Sequence, residues 1–129
     1  MSRKDSLDSS NENLILDLSF EFAKRIVALH RYLQNEKQEY VLSTQLLRSG
    51  TSIGANVNEA QAAQSRKDFL AKLSIASKES RETLYWLRLL SETGYLDIEE
   101  RHVHSLLEEN RSLIKILTSI ILTLQGKKQ

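Results

Sequence analysis

The chain has no cysteine, no proline and only four glycines in 129 residues. The absence of cysteine excludes disulfides and thiolate chemistry. The absence of proline leaves nothing to break a helix by losing its N–H. A proline-free chain rich in Leu, Ile, Ala, Glu, Lys and Arg reads as all-helical. Aromatic residues make up 6% of the chain. Charge of one sign is also scarce. The net charge is +1, so the molecule as a whole is not a polycation, and contact with nucleic acid requires a local cluster of bases. No long apolar run occurs either. The longest, Ile114 to Leu124, is interrupted by Lys115, Thr118 and Ser119, and is too short and too polar to span a membrane. The opening MSRKDSLDSSNEN is polar, so neither a secretory signal nor a membrane partner is expected, and a cytoplasmic setting is. The length is that of one ordinary domain with a real core.

Apolar periodicity divides the chain into four helices. Residues 1–13 are polar and of mixed charge, and read as a disordered tail. The first helix is predicted from Leu14 to Glu39, with Ile15, Leu18, Phe22, Ile26, Leu29 and Leu33 as its stripe. The second is predicted to start after Ser43 and run to about Gln64, with Leu42, Leu46, Gly50, Ile53, Val57 and Ala60 as its seam. Ser65 then caps the third, with Asp68 favoured at the positive helix end. That helix carries Phe69, Leu73, Ala76, Ser80, Leu84, Leu87 and Leu90 to about Thr93, and Gly94 suits a left-handed stop. Asp97 is read as the cap of the fourth helix, with Glu99 and Glu100 in its first turn. Its seam is Val103, Leu106, Leu113, Leu117, Ile120 and Leu124, and residues 126–129 form a solvated end. The expected fold is an all-α, up-down-up-down antiparallel four-helix bundle over residues 14–125.

The faces of the third helix differ in chemistry. At about 100° per residue, Ala71, Ile75, Trp86 and Leu89 fall roughly opposite the seam, interrupted by Glu82. An apolar back face of this kind is read as a partner surface, here a contact between copies of the chain, with scattered surface apolar residues as the alternative. Between the two faces lie Lys67, Lys78, Arg81, Tyr85 and Arg88. From Arg66 to Arg88 there are six bases against three acids. A basic stripe with an aromatic inside it can hold a phosphate backbone and stack on a base. The alternative is a solvated face with partial i,i+4 pairing, such as Lys78 with Glu82.

The second helix holds Gly50 and Gly54 one turn apart, each about 1 kcal/mol less favourable than alanine in a helix interior. Two such glycines allow another helix backbone to come close. Ser52, Asn56 and Glu59 line the flank of the same seam, where hydrogen bonding within the bundle or between subunits is expected. No nucleophile or metal ligand is spaced to join Asn56 and Glu59 in catalysis.

The run LLRSGTSIGANVNEA, then SRKDFLAKLSIASKESRETLYWL, then GYL, resembles a family of small four-helix-bundle proteins. That family was first associated with intervening sequences in bacterial 23S ribosomal RNA genes. Its Asn-x-x-Glu pair is matched by Asn56 and Glu59, and the Ser, basic residues and aromatic that follow by Ser65, Arg66, Lys67 and Phe69. Its Ile-Ala segment with a following Ser is matched by Ile75, Ala76 and Ser80. Many members carry Gly after the motif Glu, where this chain has Ala60. The resemblance implies an up-down bundle that assembles as a five-fold ring, with Asn56, Glu59 and Ser80 in structural roles. A related accessory protein of diversity-generating retroelements is a basic pentamer that binds nucleic acid and reverse transcriptase. The resemblance therefore implies a homopentamer, RNA or DNA as partner, and a protein partner beside it.

Two catalytic patterns are weak. Arg25-x-x-x-x-His30 has the loose spacing of some helical ribonucleases, but Ile26 stands where a polar residue usually follows the Arg, and the spacing is common by chance. Glu99-x-x-His102 has the spacing of a di-iron bundle motif, yet no second copy exists. No catalytic residue, metal or cofactor is expected. The reading is a non-enzymatic homo-oligomeric bundle that binds nucleic acid or scaffolds a nucleoprotein complex. The alternatives are a protein-interaction scaffold without nucleic-acid contact and a toxin-like ribonuclease using Arg25 and His30.

Overall fold

The structure is a computed structural model that describes residues 9–126, with side chains from residue 12 onward. Its elements are α1 (Ser9–Lys37), α2 (Leu42–Ala60), α3 (Arg66–Glu92) and α4 (Arg101–Leu124). Each helix packs on its neighbours in the chain, and α1 closes the ring on α4. This is the expected all-α four-helix bundle. The core is built from the predicted stripes. Ile15, Phe22, Ile26 and Leu33 of α1 meet Leu46, Ile53 and Val57 of α2, Phe69, Leu73, Leu87 and Leu90 of α3, and Leu113 and Leu117 of α4. All are nearly or wholly buried.

The boundaries differ from the sequence reading for local reasons. Helix α1 starts at Ser9, so residues 9–13 are helical, whereas residues 1–8 and 127–129 lie outside the described residues. Glu12 in its first turn is buried. Helix α1 ends at Lys37, where Gln38 takes φ +49° in the left-handed region and its side chain donates to the Asn35 carbonyl. Ser43 is not the cap of α2. The cap is the Glu39 carboxylate, which accepts from Leu42 N–H at 3.0 Å and Ser43 N–H at 2.7 Å. Ser43 itself is buried, its hydroxyl donating to the Glu39 carbonyl. Helix α2 stops at Ala60, short of Gln64. Gln61, Ala62 and Ala63 N–H return to carbonyls three residues back, the tighter 3₁₀ pattern.

Ser65 caps α3 as expected, its hydroxyl accepting from Asp68 N–H at 3.0 Å. Gly94, at φ +88°, ends α3. Tyr95 N–H bonds to the Leu90 carbonyl and Gly94 N–H to that of Ser91, a Schellman stop. The cap of α4 is a correction. Asp97 holds only a turn, accepting from Glu99 N–H, while the Glu100 carboxylate accepts from His102 and Val103 N–H. Glu99 and Glu100 therefore precede the helix rather than forming its first turn.

The paired glycines act as their spacing predicted. A Cβ on Gly50 would sit 2.8 Å from Cγ1 and Cγ2 of Ile26, and one on Gly54 would sit 3.2 Å from the Ser19 carbonyl oxygen. Gly50 thus leaves room for the Ile26 side chain of α1, and Gly54 for the α1 backbone at Ser19.

Candidate functional site

Ser65 sets the start of α3 and with it the phase of everything the helix displays. Lys67, Lys78, Arg81, Tyr85 and Arg88 share one sector of its wheel, and all five are exposed. Lys67 and Lys78 make no ion pair among the described residues. Arg88 approaches Glu92 at 3.6 Å with both side chains mostly in solvent, so that pair contributes little. Arg81 reaches across to α4, where its Nη2 donates to Thr118 Oγ1 at 3.3 Å. That contact locates a second row of bases. Arg111, Lys115 and Thr118 are spaced by four and three, so they form one stripe of α4. The two stripes together carry Lys67, Lys78, Arg81, Arg88, Arg111 and Lys115 against Glu92 and Glu108, the latter paired with Arg111 at 2.8 Å. Tyr85, 57% exposed, lies within the α3 stripe. Sequence reasoning missed Arg111 and Lys115. Their own spacing was visible, but not which face of α4 turns toward α3.

On the other flank α3 meets α2. Ala71 and Ile75 are exposed, but Trp86 and Leu89 are half-buried, so the expected apolar back face is only partly open. Trp86 packs against the core edge and donates from Nε1 to Glu82 Oε2 at 3.0 Å. Glu82 also accepts from Arg48 of α2, and the same guanidinium bonds Glu79 at 3.3 Å. The Tyr85 ring stands edge-on to Trp86, with centroids 5.0 Å apart and planes at 77°. Beneath this layer a buried hydroxyl pair, Thr83 to Ser49 at 3.0 Å, joins α3 to α2. Glu82, an interruption on the wheel, is the centre of the network. Arg48 is consequently occupied and offers no free cation to a phosphate.

The motif residues do not form one site. Asn56 is half-buried and donates to the Ser52 carbonyl of its own helix at 2.8 Å. Glu59 is exposed and pairs with Lys72 of α3 at 3.2 Å. Ser80 lies elsewhere, wholly buried between α3 and α4, its hydroxyl donating to the Ser77 carbonyl. Asn110 of α4, also wholly buried, donates to the Ser80 carbonyl at 3.1 Å. The Asn110 Oδ1 has no hydrogen-bond partner among the described residues. Asn110 was missed, although its position four after Leu106 and three before Leu113 places it on the seam.

The α1–α4 side opens into a cavity of about 570 Å³ between the C-terminal half of α1, the α3–α4 link and the start of α4. Leu29, Leu96, Val103 and Leu106 form its apolar lining, with Tyr32 and Arg25 at its wall. Arg25 is held by Glu109, by Ser105 Oγ at 3.1 Å and by the His102 carbonyl at 3.0 Å. His30 does not line this cavity, being five residues and about 140° around the helix from Arg25. The pair is therefore not brought into one cleft. Among the described residues no group of three or more His, Asp or Glu is placed to hold a metal ion, and no helix is long and apolar enough to cross a membrane.

A family model for the 23S rRNA-intervening sequence protein matches residues 11–119. The chain belongs to that family. The match takes in most of α1, all of α2 and α3 and most of α4, so the basic stripes, the Arg48–Glu82–Trp86 network and the buried Ser80–Asn110 contact all lie within the matched region. Among solved structures, a protein of unknown function from the S23 ribosomal protein family of Bacteroides thetaiotaomicron VPI-5482 is similar. It is 51% identical, with a TM-score of 0.82, over 86% of this chain and 97% of that one. No curated protein matches the chain.

Proposed function

We propose that this family member is a non-enzymatic, self-associating bundle that binds RNA or DNA along its α3–α4 face and so scaffolds a nucleoprotein complex. The observation that carries the reading is the basic double stripe. Six bases on two adjacent helices face two acids, with an exposed tyrosine among them. Phosphate contacts need cations that are exposed and not already neutralised, and Lys67 and Lys78 meet that condition. Arg48 of α2 and Arg25 of α1 do not, because both are held by carboxylates. Ile75 and the half-buried Trp86 and Leu89, on the flank away from α4, leave room for copies of the chain to associate without covering the stripes. A ring of copies repeats the basic face, and repeated weak contacts on one polymer raise avidity.

The test is an anisotropy titration of the intact protein with single-stranded and duplex RNA and DNA at two salt concentrations. Binding falls steeply with salt, with a slope of about 0.7–0.9 per phosphate neutralised, and shows little sequence preference. Arg81→Glu with Arg88→Glu weakens it, and Lys115→Glu weakens it further. Absence of binding at low salt rejects the nucleic-acid reading in favour of a protein-interaction scaffold. Unchanged binding in the charge reversals rejects this face.

A further inference from the structure

The end of the bundle that holds residues 38–41 and 93–100 has a chemistry that the basic face does not use. Lys37, at the end of α1, and Asp97, in the α3–α4 link, both line the 570 Å³ cavity, so the two links lie at one end. Apolar surface concentrates there. Of the eight large apolar side chains exposed among the described residues, Tyr32, Tyr40, Val41 and Ile98 belong to this end. Val41 is 71% exposed. The cavity volume lies in the range of about 300–1,000 Å³ that built ligand sites occupy.

The electrostatics of the same end are one-sided. Two helices begin here, α2 and α4, and two finish, α1 and α3. Their opposed dipoles cancel in pairs. Both beginnings, however, carry a carboxylate on their N–H groups, Glu39 on α2 and Glu100 on α4. The last turn of α3 has no basic residue, and that of α1 has Lys37 alone. With Glu36, Asp97 and Glu99 added, five acids stand against Arg31, Lys37 and Arg101. Arg25 does not alter the balance, since Glu109 neutralises it. The opposite end differs, because there the Arg66 guanidinium caps the Leu124 carbonyl at 3.1 Å.

We propose that this end docks a protein segment bearing two neighbouring large apolar side chains with lysine or arginine beside them. The apolar groups fill the cavity between Leu29, Leu96, Val103 and Leu106. The cation lies against Asp97, Glu99 and the last turn of α3, which has no basic residue of its own. The negative field disfavours a nucleic acid at this end. A small apolar molecule in the cavity would leave Tyr40, Val41 and Ile98 uncovered and the acids without a partner. The proposal does not rest on nucleic-acid binding at the α3–α4 face, which lies on a different surface.

The experiment uses the full chain and a fluorescein-labelled blocked peptide with leucines at i and i+4 flanked by lysines. Two controls replace leucine with serine, or lysine with glutamate. The lysine–leucine peptide binds, and both controls bind at least about ten-fold more weakly. Ala28→Trp, on an exposed α1 position that lines the cavity, fills the site and removes binding with helicity unchanged by circular dichroism. Ile98→Ser and Glu99→Lys each weaken binding several-fold without touching the core, while Arg81→Glu with Arg88→Glu leaves it unchanged. The proposal is overturned by no binding up to about 1 mM peptide. Equal binding of the glutamate peptide, or indifference to both Ala28→Trp and Ile98→Ser, overturns it too. Cavity-dependent binding of anilinonaphthalene sulfonate without peptide binding identifies a small-molecule pocket instead. A fall in sedimentation mass on Ala28→Trp identifies a contact between copies.

Discussion

Replacing Gly50 with alanine should destabilise the protein, although alanine is the better helix former. Helix propensity favours the change by about 1 kcal/mol. Against it, the new methyl would meet Cγ1 and Cγ2 of Ile26 at 2.8 Å. Those atoms branch directly from Cβ on a fully buried side chain, so no rotation at a flexible tip relieves the contact. Overpacking of this kind costs about 1–3 kcal/mol, leaving a net loss of about 1 kcal/mol. Ile26→Ala alone costs about 2–5 kcal/mol through lost burial and the cavity it leaves. In that background both offending atoms are gone, and Gly50→Ala should stabilise by about 1 kcal/mol while occupying part of the vacated space. The coupling is then about 2 kcal/mol, well above the scatter of additive pairs. Urea unfolding at matched protein concentration reads all four species, because self-association would otherwise shift the midpoints. A thermal melt should show roughly 4 °C per kcal/mol. The reasoning fails if Gly50→Ala stabilises the parent chain, or if its effect is the same with and without Ile26.

Three further outcomes follow from the geometry. Glu100→Ala should cost about 1 kcal/mol as the loss of a cap and Asp97→Ala less; a thermal melt with the opposite order would return the cap to Asp97. Asn110→Leu should leave stability unchanged or raise it, because it removes a buried acceptor that has no partner, whereas Asn110→Ala should lose about 1–3 kcal/mol; equal losses in urea would show that the amide itself is needed. Ile75→Glu should lower the mass seen by light scattering with helicity intact, and it is a better probe than Trp86→Glu, which also breaks the packing of a half-buried ring; an unchanged mass in Ile75→Glu would remove this face from self-association.

Glu59 illustrates how far a local reading carries toward the site. Its spacing from Asn56 marks it as a motif position on the flank of a glycine-relieved seam. A buried, bonded carboxylate there would be worth about 1–3 kcal/mol. In the fold its side chain is 58% exposed and paired with Lys72, so Glu59→Ala should cost no more than about 1 kcal/mol. The α3 basic stripe was legible because one helix sets the angles between its own residues. The α4 half was not, since it needed the Arg81–Thr118 contact to show which way α4 turns.

The same division runs through the whole chain. The apolar steps of three and four, the Ser65 cap, the Gly94 stop and the close approach at Gly50 and Gly54 are properties of a few consecutive residues, and the sequence alone determined them. Local hydrogen bonds close within five residues, and the helical repeat fixes the phase of each face without reference to any other segment. The Asn110–Ser80 bond, the Arg48 bridge to Glu79 and Glu82, the Arg25 clamp on α4 and the cavity beside it join residues 30 to 84 positions apart. A helical wheel gives the phase within one helix, but not the rotation or axial register of that helix against the next. Those two quantities are set only when all four apolar faces pack together, which is why the polar partners became visible only in the folded bundle.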